Sequence, residues 1–494
     1  MTRLNTFAAI GLAAGIAAGT AARADVTADE VWQDWLGYYT ALGQTVTTAS
    51  QGRQGDTLVI ADAVFASTVE GGNVTVTVAD IRLRETGDGR VEVTLSNRVP
   101  IRIRSKPSSG ESLDATMTFS QSGLNMVISG SPGDMVYAMT APRIGFDVDG
   151  LTVDDEAVDL KLAIALADNA GSYSMKTAGG RDVASQFTAA SGTFEVAASD
   201  PDGGGDLTAS GRFGAVQGSS RAVLPEGVNM ADLNAALQGG MRAEAAFGYA
   251  DGSYRMAFRD GDETVDATSS VAGGEVRFAM SKDGLSYGGE GRESRLSMTA
   301  SALPVPIEAT VARTAFNMML PVSRSDTAAP FAAMVAVVDL ALSDGIWNLF
   351  DPGAQLPRDP ATLIIDLSGA ARMLIDVLDP VTAGRAELPG EIEALSLNQL
   401  KLSAAGAELS GQGAATFDNS GPVPVPDGAI DLRLVGGNGL IDRLVAMGLL
   451  PEEQAMGARM MLGLFAVVAG DDTLTSRIEF RPDGGIYANG QRIR

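Results

Sequence analysis

The chain has 494 residues, 45% hydrophobic but only 5% aromatic, with no histidine, no cysteine and a formal charge of −25 at neutral pH. Lacking those two residue types, it has no Ser-His-Asp triad, no thiolate nucleophile, no disulfide and no His- or Cys-ligated metal. The acidity disfavours nucleic acid and anionic lipid headgroups as partners, since phosphate binding needs clustered cations, and the lysines (Lys106, Lys161, Lys176, Lys282, Lys401) are isolated from one another.

Arg3, an apolar run over residues 7–18 and Ala22-Arg23-Ala24 before Asp25 read as a secretory signal peptide cleaved after Ala24. The run is shorter than the roughly 20 residues of a membrane span. The expected mature chain is therefore periplasmic, without a transmembrane segment, and more acidic still for the loss of Arg3 and Arg23.

Thr27 and Glu30 have the spacing of a capping box and predict a helix to about Ala49, with Trp32, Trp35, Leu36 and Tyr39 on one packing face. From about Thr57 to Val322 the period becomes two. Val74, Val76 and Val78 alternate with threonines, later segments repeat the style, and turns such as Asp251-Gly252, Asp260-Gly261 and Asp283-Gly284 punctuate it at meander spacing. One helical insertion is expected over residues 230–241, capped by Asn229 and stopped by Gly239-Gly240.

A composition break at 325–330 sets a boundary near residue 330, between an N-terminal helix-plus-meander region (25–330) and a C-terminal α+β region (331–494). Residues 331–342 read as an apolar helix, 346–350 as its extension, 363–367 as a strand and 370–378 as a helix stopped by Asp379-Pro380. Residues 395–402 and 408–417 read as a hairpin, and 430–435 as a strand. Then comes a helical hairpin. Asn438 caps a first helix bearing Leu440, Ile441, Leu444 and Met447, which Gly448 ends; Pro451 opens a second, with Glu452 and Glu453 in its first turn and a stripe of Met456, Met460, Leu464 and Val468 before Gly470. A β-hairpin closes the chain, Leu474, Ser476, Ile478 and Phe480 alternating before a turn at 482–485 and a return strand over 486–493.

The fold class expected is mainly β with some α: long antiparallel curved sheets or sandwich-like meanders with short packed helices. Gly284-Leu285-Ser286-Tyr287-Gly288 matches G-x-S-x-G, yet without a histidine base it reads as a β-turn. The acidic clusters 154–156, 200–206, 260–263 and 471–472 read as solvated turns; the second lacks the acidic residues a calcium loop needs at Gly204 and Gly211. No catalytic, metal or cofactor residue is assigned.

The run Leu395-Ser-Leu-Asn-Gln-Leu-Lys-Leu402, the strand at 428–435, the leucine-rich helices and the ending Phe480-Arg-Pro-Asp-Gly-Gly-Ile-Tyr-Ala-Asn-Gly-Gln-Arg-Ile493 resemble the alphaproteobacterial envelope proteins grouped as domain of unknown function 2125. Val31-Trp32-Gln33-Asp34-Trp35 is similar to the longer members. The resemblance implies a periplasmic location and no known activity. At the level of strand style the chain also resembles AsmA-like envelope proteins, whose curved sheets hold lipid.

The function expected is non-enzymatic. Either the apolar strand face holds a hydrophobic envelope molecule such as a lipid, or the same residues close into a β-sandwich core. The alternative is a scaffold or assembly factor that binds an envelope protein through the Trp32/Trp35 helix or a sheet edge.

Overall fold

A computed structural model describes residues 25–494 apart from 42, 70, 107–110, 201–202, 228–231, 380–381 and 383–387. The signal peptide, Asn229 and Pro380 lie outside the described residues.

Alternation of apolar and polar residues over long stretches drives the described chain into strands for 65% of its length, all in one 28-stranded sheet. Its order follows the sequence. β1 (Thr45–Thr47) and β2 (Ser50–Gln54) lie end to end along β3 (Thr57–Val69), which pairs with β4 (Gly72–Glu85). β5 (Val91–Leu95) and β6 (Arg98–Ser105) form the next row, β7 (Leu113–Ser122) and β8 (Asn125–Ser131) the one after, and β9 (Asp134–Val153) spans both. β10 (Glu156–Ala157) is a stub on β9. β11 (Asp159–Lys176), β12 (Gly180–Ser199) and β13 (Asp206–Pro225) follow. Two more split rows, β14 (Arg242–Tyr249) with β15 (Asp251–Asp260) and β16 (Glu263–Val271) with β17 (Gly273–Ser281), lead to β18 (Gly284–Ala300). From there β19 (Ile307–Leu320), β20 (Ala329–Leu342), β21 (Ala361–Met373), β22 (Gly390–Ala404), β23 (Ala407–Asp418) and β24 (Val425–Val435) add on one by one. Pairing thus runs past residue 330 through β19, β20 and β21. β25 (Val467–Gly470) and β27 (Ile486–Ala488) both pair with β26 (Thr473–Phe480), which completes the ladder against β24, and β28 (Gln491–Arg492) folds back on β27.

A crease crosses this sheet. Ladder pairing lapses for one step, without a change of register, at Asp62 in β3, Asp168 in β11, Ala215 in β13 and Glu293 in β18, and the register shifts at Asp339 in β20, all at positive φ. Between them the split rows break at Ala250 and Ala272. Burial steps from Ile60 to Ala63 and from Val78 to Ile81 across the crease, so the alternation advances by one there, and Tyr249 meets both Phe213 beyond the crease and Phe247 before it, at 4.9 and 6.4 Å between centroids. The sheet is creased into two panels that share one apolar face.

Helix α1 (Ala28–Ala41) sits on that face at the N-terminal end. The capping box forms: Glu30 N–H donates to Thr27 Oγ1 at 3.3 Å and Thr27 N–H to Glu30 Oε2 at 2.9 Å. Trp32, 1% exposed, packs over Leu58, Ile60, Leu83 and Val93, with Trp35 and Leu36 beside it. Tyr39 meets Phe65 of β3 at 4.7 Å between centroids, while Arg181 of β12 lies over the adjacent Tyr38 at 5.5 Å. β3 and β12 are six pairing steps apart, about 29 Å in a flat sheet, so the sheet curls toward the helix.

Several elements differ from expectation. α1 stops at Ala41 rather than Ala49 because Gly43 turns the chain at φ +76 into β1. The insertion is a short α2 (Leu233–Gln238) capped by Asp232, whose Oδ1 accepts from Ala235 N–H at 2.9 Å. Residues 331–342 are strand β20, not a helix: both faces are apolar there, which hides the period of two, and pairing with β19 and β21 decides the matter. Residues 370–373 continue β21 for the same reason. Of the extension expected over 346–350, only Ile346 and Trp347 are helical, in the short α3 (Asp344–Trp347).

At the C-terminus α4 (Gly437–Ala446) and α5 (Glu452–Phe465) form the expected hairpin around Gly448 at φ +73, with Pro451 as the N-cap of α5. Asn438 is not the cap of α4; Asp472 is its acceptor, taking the Asn438 and Gly439 N–H groups at 3.0 and 2.9 Å. α5 ends at Phe465, before Gly470, where Ser476 Oγ and Asn489 Nδ2 donate to the Phe465 carbonyl. The return strand is interrupted at Asn489-Gly490, both at positive φ. The Met456/Met460 stripe faces solvent, 64% and 70% exposed.

Candidate apolar ligand face

Residues directly opposite in a ladder share a face, so the register can be followed across the sheet. One row runs Met139, Gly171, Phe187, Gly218, Phe247, Val276, Gly289, Phe316, Val335, Ile365, Leu400, Gly411, Leu432. Beyond the crease a second runs Phe119, Phe146, Ile164, Phe194, Gly211, Tyr254, Ser269, Leu296, Ala309, Leu342. In both, aromatics alternate with glycines or small residues. The rings lie over the glycines: a Cβ on Gly218 would stand 2.2 Å from Phe187 Cε1, one on Gly211 2.4 Å from Phe194 Cε1, one on Gly289 2.8 Å from Phe316 Cε1, and one on Gly369 2.5 Å from Phe331 Cζ. Each glycine admits the neighbouring ring against its backbone, which lays the rings down and paves a low floor.

The opposite face is polar and laced with exposed ion pairs, such as Arg221–Asp182, Arg259–Asp266 and Arg313–Glu290. Each is worth little, but together they mark the solvated side. On the floor, Phe247 is 45% and Val335 50% exposed, whereas a closed sandwich would bury them. About a dozen strand steps at about 4.8 Å make the floor some 55–60 Å long, and three alternate positions per strand make it at least about 13 Å wide. Phe247, Val276, Phe316, Val335 and Ile365, near neighbours along the first row, are each more than a third exposed, a contiguous run of large apolar side chains of the kind that marks an interaction surface. A cavity of about 460 Å³ lies along the second row, lined by Ser269, Leu296, Ala309 and Leu342 with the polar neighbours Arg295 and Glu308. That is within the range of small-ligand sites.

Among the described residues, α1 and α2 meet this face at its margins. α1 closes the N-terminal end; Leu237 of α2, with Met241 just beyond it, packs against Leu224 and Met280. Under α1 lies a polar cluster. Trp35 Nε1–H donates to the Tyr137 hydroxyl at 3.3 Å, which lies 3.4 Å from Asp34 Oδ2 and donates to it; the Tyr137 and Tyr173 rings are 5.4 Å apart. Burial pushes the Asp34 carboxyl up despite that hydrogen bond and the nearby Arg181 charge, and pushes the Tyr173 hydroxyl up to about 12.

The other sequence candidates stay apart. Residues 284–288 lie within β18, the turn falling before them at Lys282-Asp283, and Tyr287 belongs to the floor opposite Phe278. Asp154 holds Ser112 N–H at 2.7 Å in a turn, and Asp472 serves α4. Among the described residues no group of three or more Asp or Glu is placed to hold a metal ion. Trp32 is buried in the core at 1% exposure, and Trp35 is partly buried beside it. The glycine–aromatic pairing was not anticipated; glycines inside strand patterns were its signal.

No helix among the described residues is long and apolar enough to cross a membrane. No curated protein and no solved structure matches the chain. The family described as "Uncharacterized protein conserved in bacteria (DUF2125)" matches residues 228–490, more than half of the 494-residue chain, from just before α2 through β27. With that match over the C-terminal part of the floor, the chain belongs to the DUF2125 family.

Proposed function

We propose that this protein is a non-enzymatic carrier or holder of elongated apolar molecules, lipid acyl chains above all, in the bacterial envelope. One observation carries the reading: the apolar face is continuous from strand to strand over about 55–60 Å and stays open to solvent along its middle. That length is roughly twice the 30 Å hydrocarbon thickness of a bilayer, room for extended chains laid across the strands. The low rings over glycine favour a smooth, nonspecific groove over a shaped pocket. The signal-like residues 1–24 support a periplasmic site of action.

The test is mass spectrometry of organic extracts from protein purified without detergent, with Val335→Glu and Phe247→Glu as controls. Wild-type protein is expected to carry lipid, and both variants to lose it while keeping the β circular-dichroism spectrum. Extracts with no lipid above background from the wild type would sink the reading. A second reading, strand addition by a protein partner, rests on β2, an edge strand exposed at every residue; in-cell cross-linking from Gln51 without co-purifying lipid would favour it.

A further inference from the structure

The geometry points to Arg181 as the anion-binding end of the floor, taking the carboxylate or phosphate head of an amphiphile whose chain lies along the Phe187–Phe247 row. This deepens the lipid-holding reading and rests on it. By register, the arginines of the sheet fall almost entirely on the polar face, where Arg221, Arg259, Arg277, Arg313 and Arg372 all have carboxylate partners. Arg181 does not. It lies opposite Leu224, in step with Val183 and Phe187, and so on the floor. Arg53 shares that face under α1 but is held by Asp29 and Glu85.

Arg181 is half-buried, stacks over Tyr38 at 5.5 Å and makes no hydrogen bond or ion pair among the described residues. A guanidinium with its donors free on an apolar surface suits an anion that arrives with its own apolar chain. The position fits as well: Arg181 stands near the start of β12, at the rim between α1 and the α2 cluster around Leu224, so a head bound there leaves the chain pointing into the open floor. Asp34 faces the same corner, but its carboxylate accepts from the Tyr137 hydroxyl and makes no ion pair with Arg181. The net negative charge opposes adsorption to anionic surfaces, but over distances beyond about 8–10 Å it is screened and does not prevent local capture.

The experiment measures binding of a fluorescent C16 fatty acid and its uncharged methyl ester to wild type, Arg181→Gln and Arg181→Lys. Expected are a roughly tenfold loss of the acid with Arg181→Gln, unchanged ester binding, and partial rescue by Arg181→Lys. Equal weakening of acid and ester, or no weakening, overturns the assignment. Full displacement of the acid by inorganic phosphate would also overturn it, making the site one for free anions. Wild type that binds neither probe refutes the floor reading itself, whereas ester binding without discrimination refutes only the role of Arg181.

Discussion

Leu83 and Val335 each sit in a paired strand with the side chain on the same apolar face of the sheet, yet Leu83 is 0% and Val335 50% exposed. The difference is α1. Around Leu83 the helix lays Trp32 on the sheet and makes an ordinary core; among the described residues no buried cluster forms around Val335. The same sheet face thus builds a stabilising core at one end and a bare surface further on, because strand pairing sets a face and leaves its cover open.

The sharpest break in that comparison is Trp32→Ala, which removes the cover. We expect a loss of about 3–5 kcal/mol in denaturant unfolding of the N-terminal region, as for a fully buried aromatic. A loss below about 1 kcal/mol would show that α1 is not what buries Leu58 and Leu83. Next comes Gly218→Val, which drives a side chain into the Phe187 ring. Overpacking should cost about 1–3 kcal/mol and roughen the floor, lowering hydrophobic-probe binding in parallel.

Asp472→Asn probes the far end, where α4 leans on β23. Backbone N–H groups of Gly439 and Asn438 hold the Asp472 carboxyl below its ordinary 3.8. Because the native pKa is lowered, its contribution is present above the ordinary carboxylate value and is lost as the pH falls through the native one. The substitution should cost about 0.5–2 kcal/mol at pH 7, with the gap to wild type closing in acid. A pH-independent difference would place the effect elsewhere. Smallest is Val335→Ala, expected to shift unfolding by only about 0.5–1 kcal/mol, since half of that side chain is already in water. A cost near that of a buried Leu83→Ala, about 2–5 kcal/mol, would mean that a second layer covers the floor in solution.

Much of the architecture was legible. The Thr27/Glu30 capping box, the meander, the hairpin at 395–417 and the break at Gly448 all follow from local chemistry that the tertiary structure leaves unchanged. Legibility failed where local signals were degenerate: β20 is apolar on both faces and so resembled a helix, and Met456 and Met460 have helical spacing but nothing to pack against. The candidate surface itself was half visible. Alternation implied one apolar side, but the choice between groove and sandwich needed the exposure of Phe247 and Val335.

By itself the sequence determined the chemistry that is absent, a triad, a thiolate and a His- or Cys-held metal, and the one-sidedness of the strands, since both depend only on which residues are present and at what spacing. Tertiary structure alone decided that the crease keeps both panels' apolar residues on one side and that Phe187, Phe194 and Phe316 rest on glycines of the next strand. It also placed Arg181 on the floor with no ion pair among the described residues, while Arg221, Arg259, Arg277, Arg313 and Arg372 turned outward to carboxylate partners. Those outcomes depend on register between strands far apart in sequence, and register is set by the whole ladder rather than by any one segment.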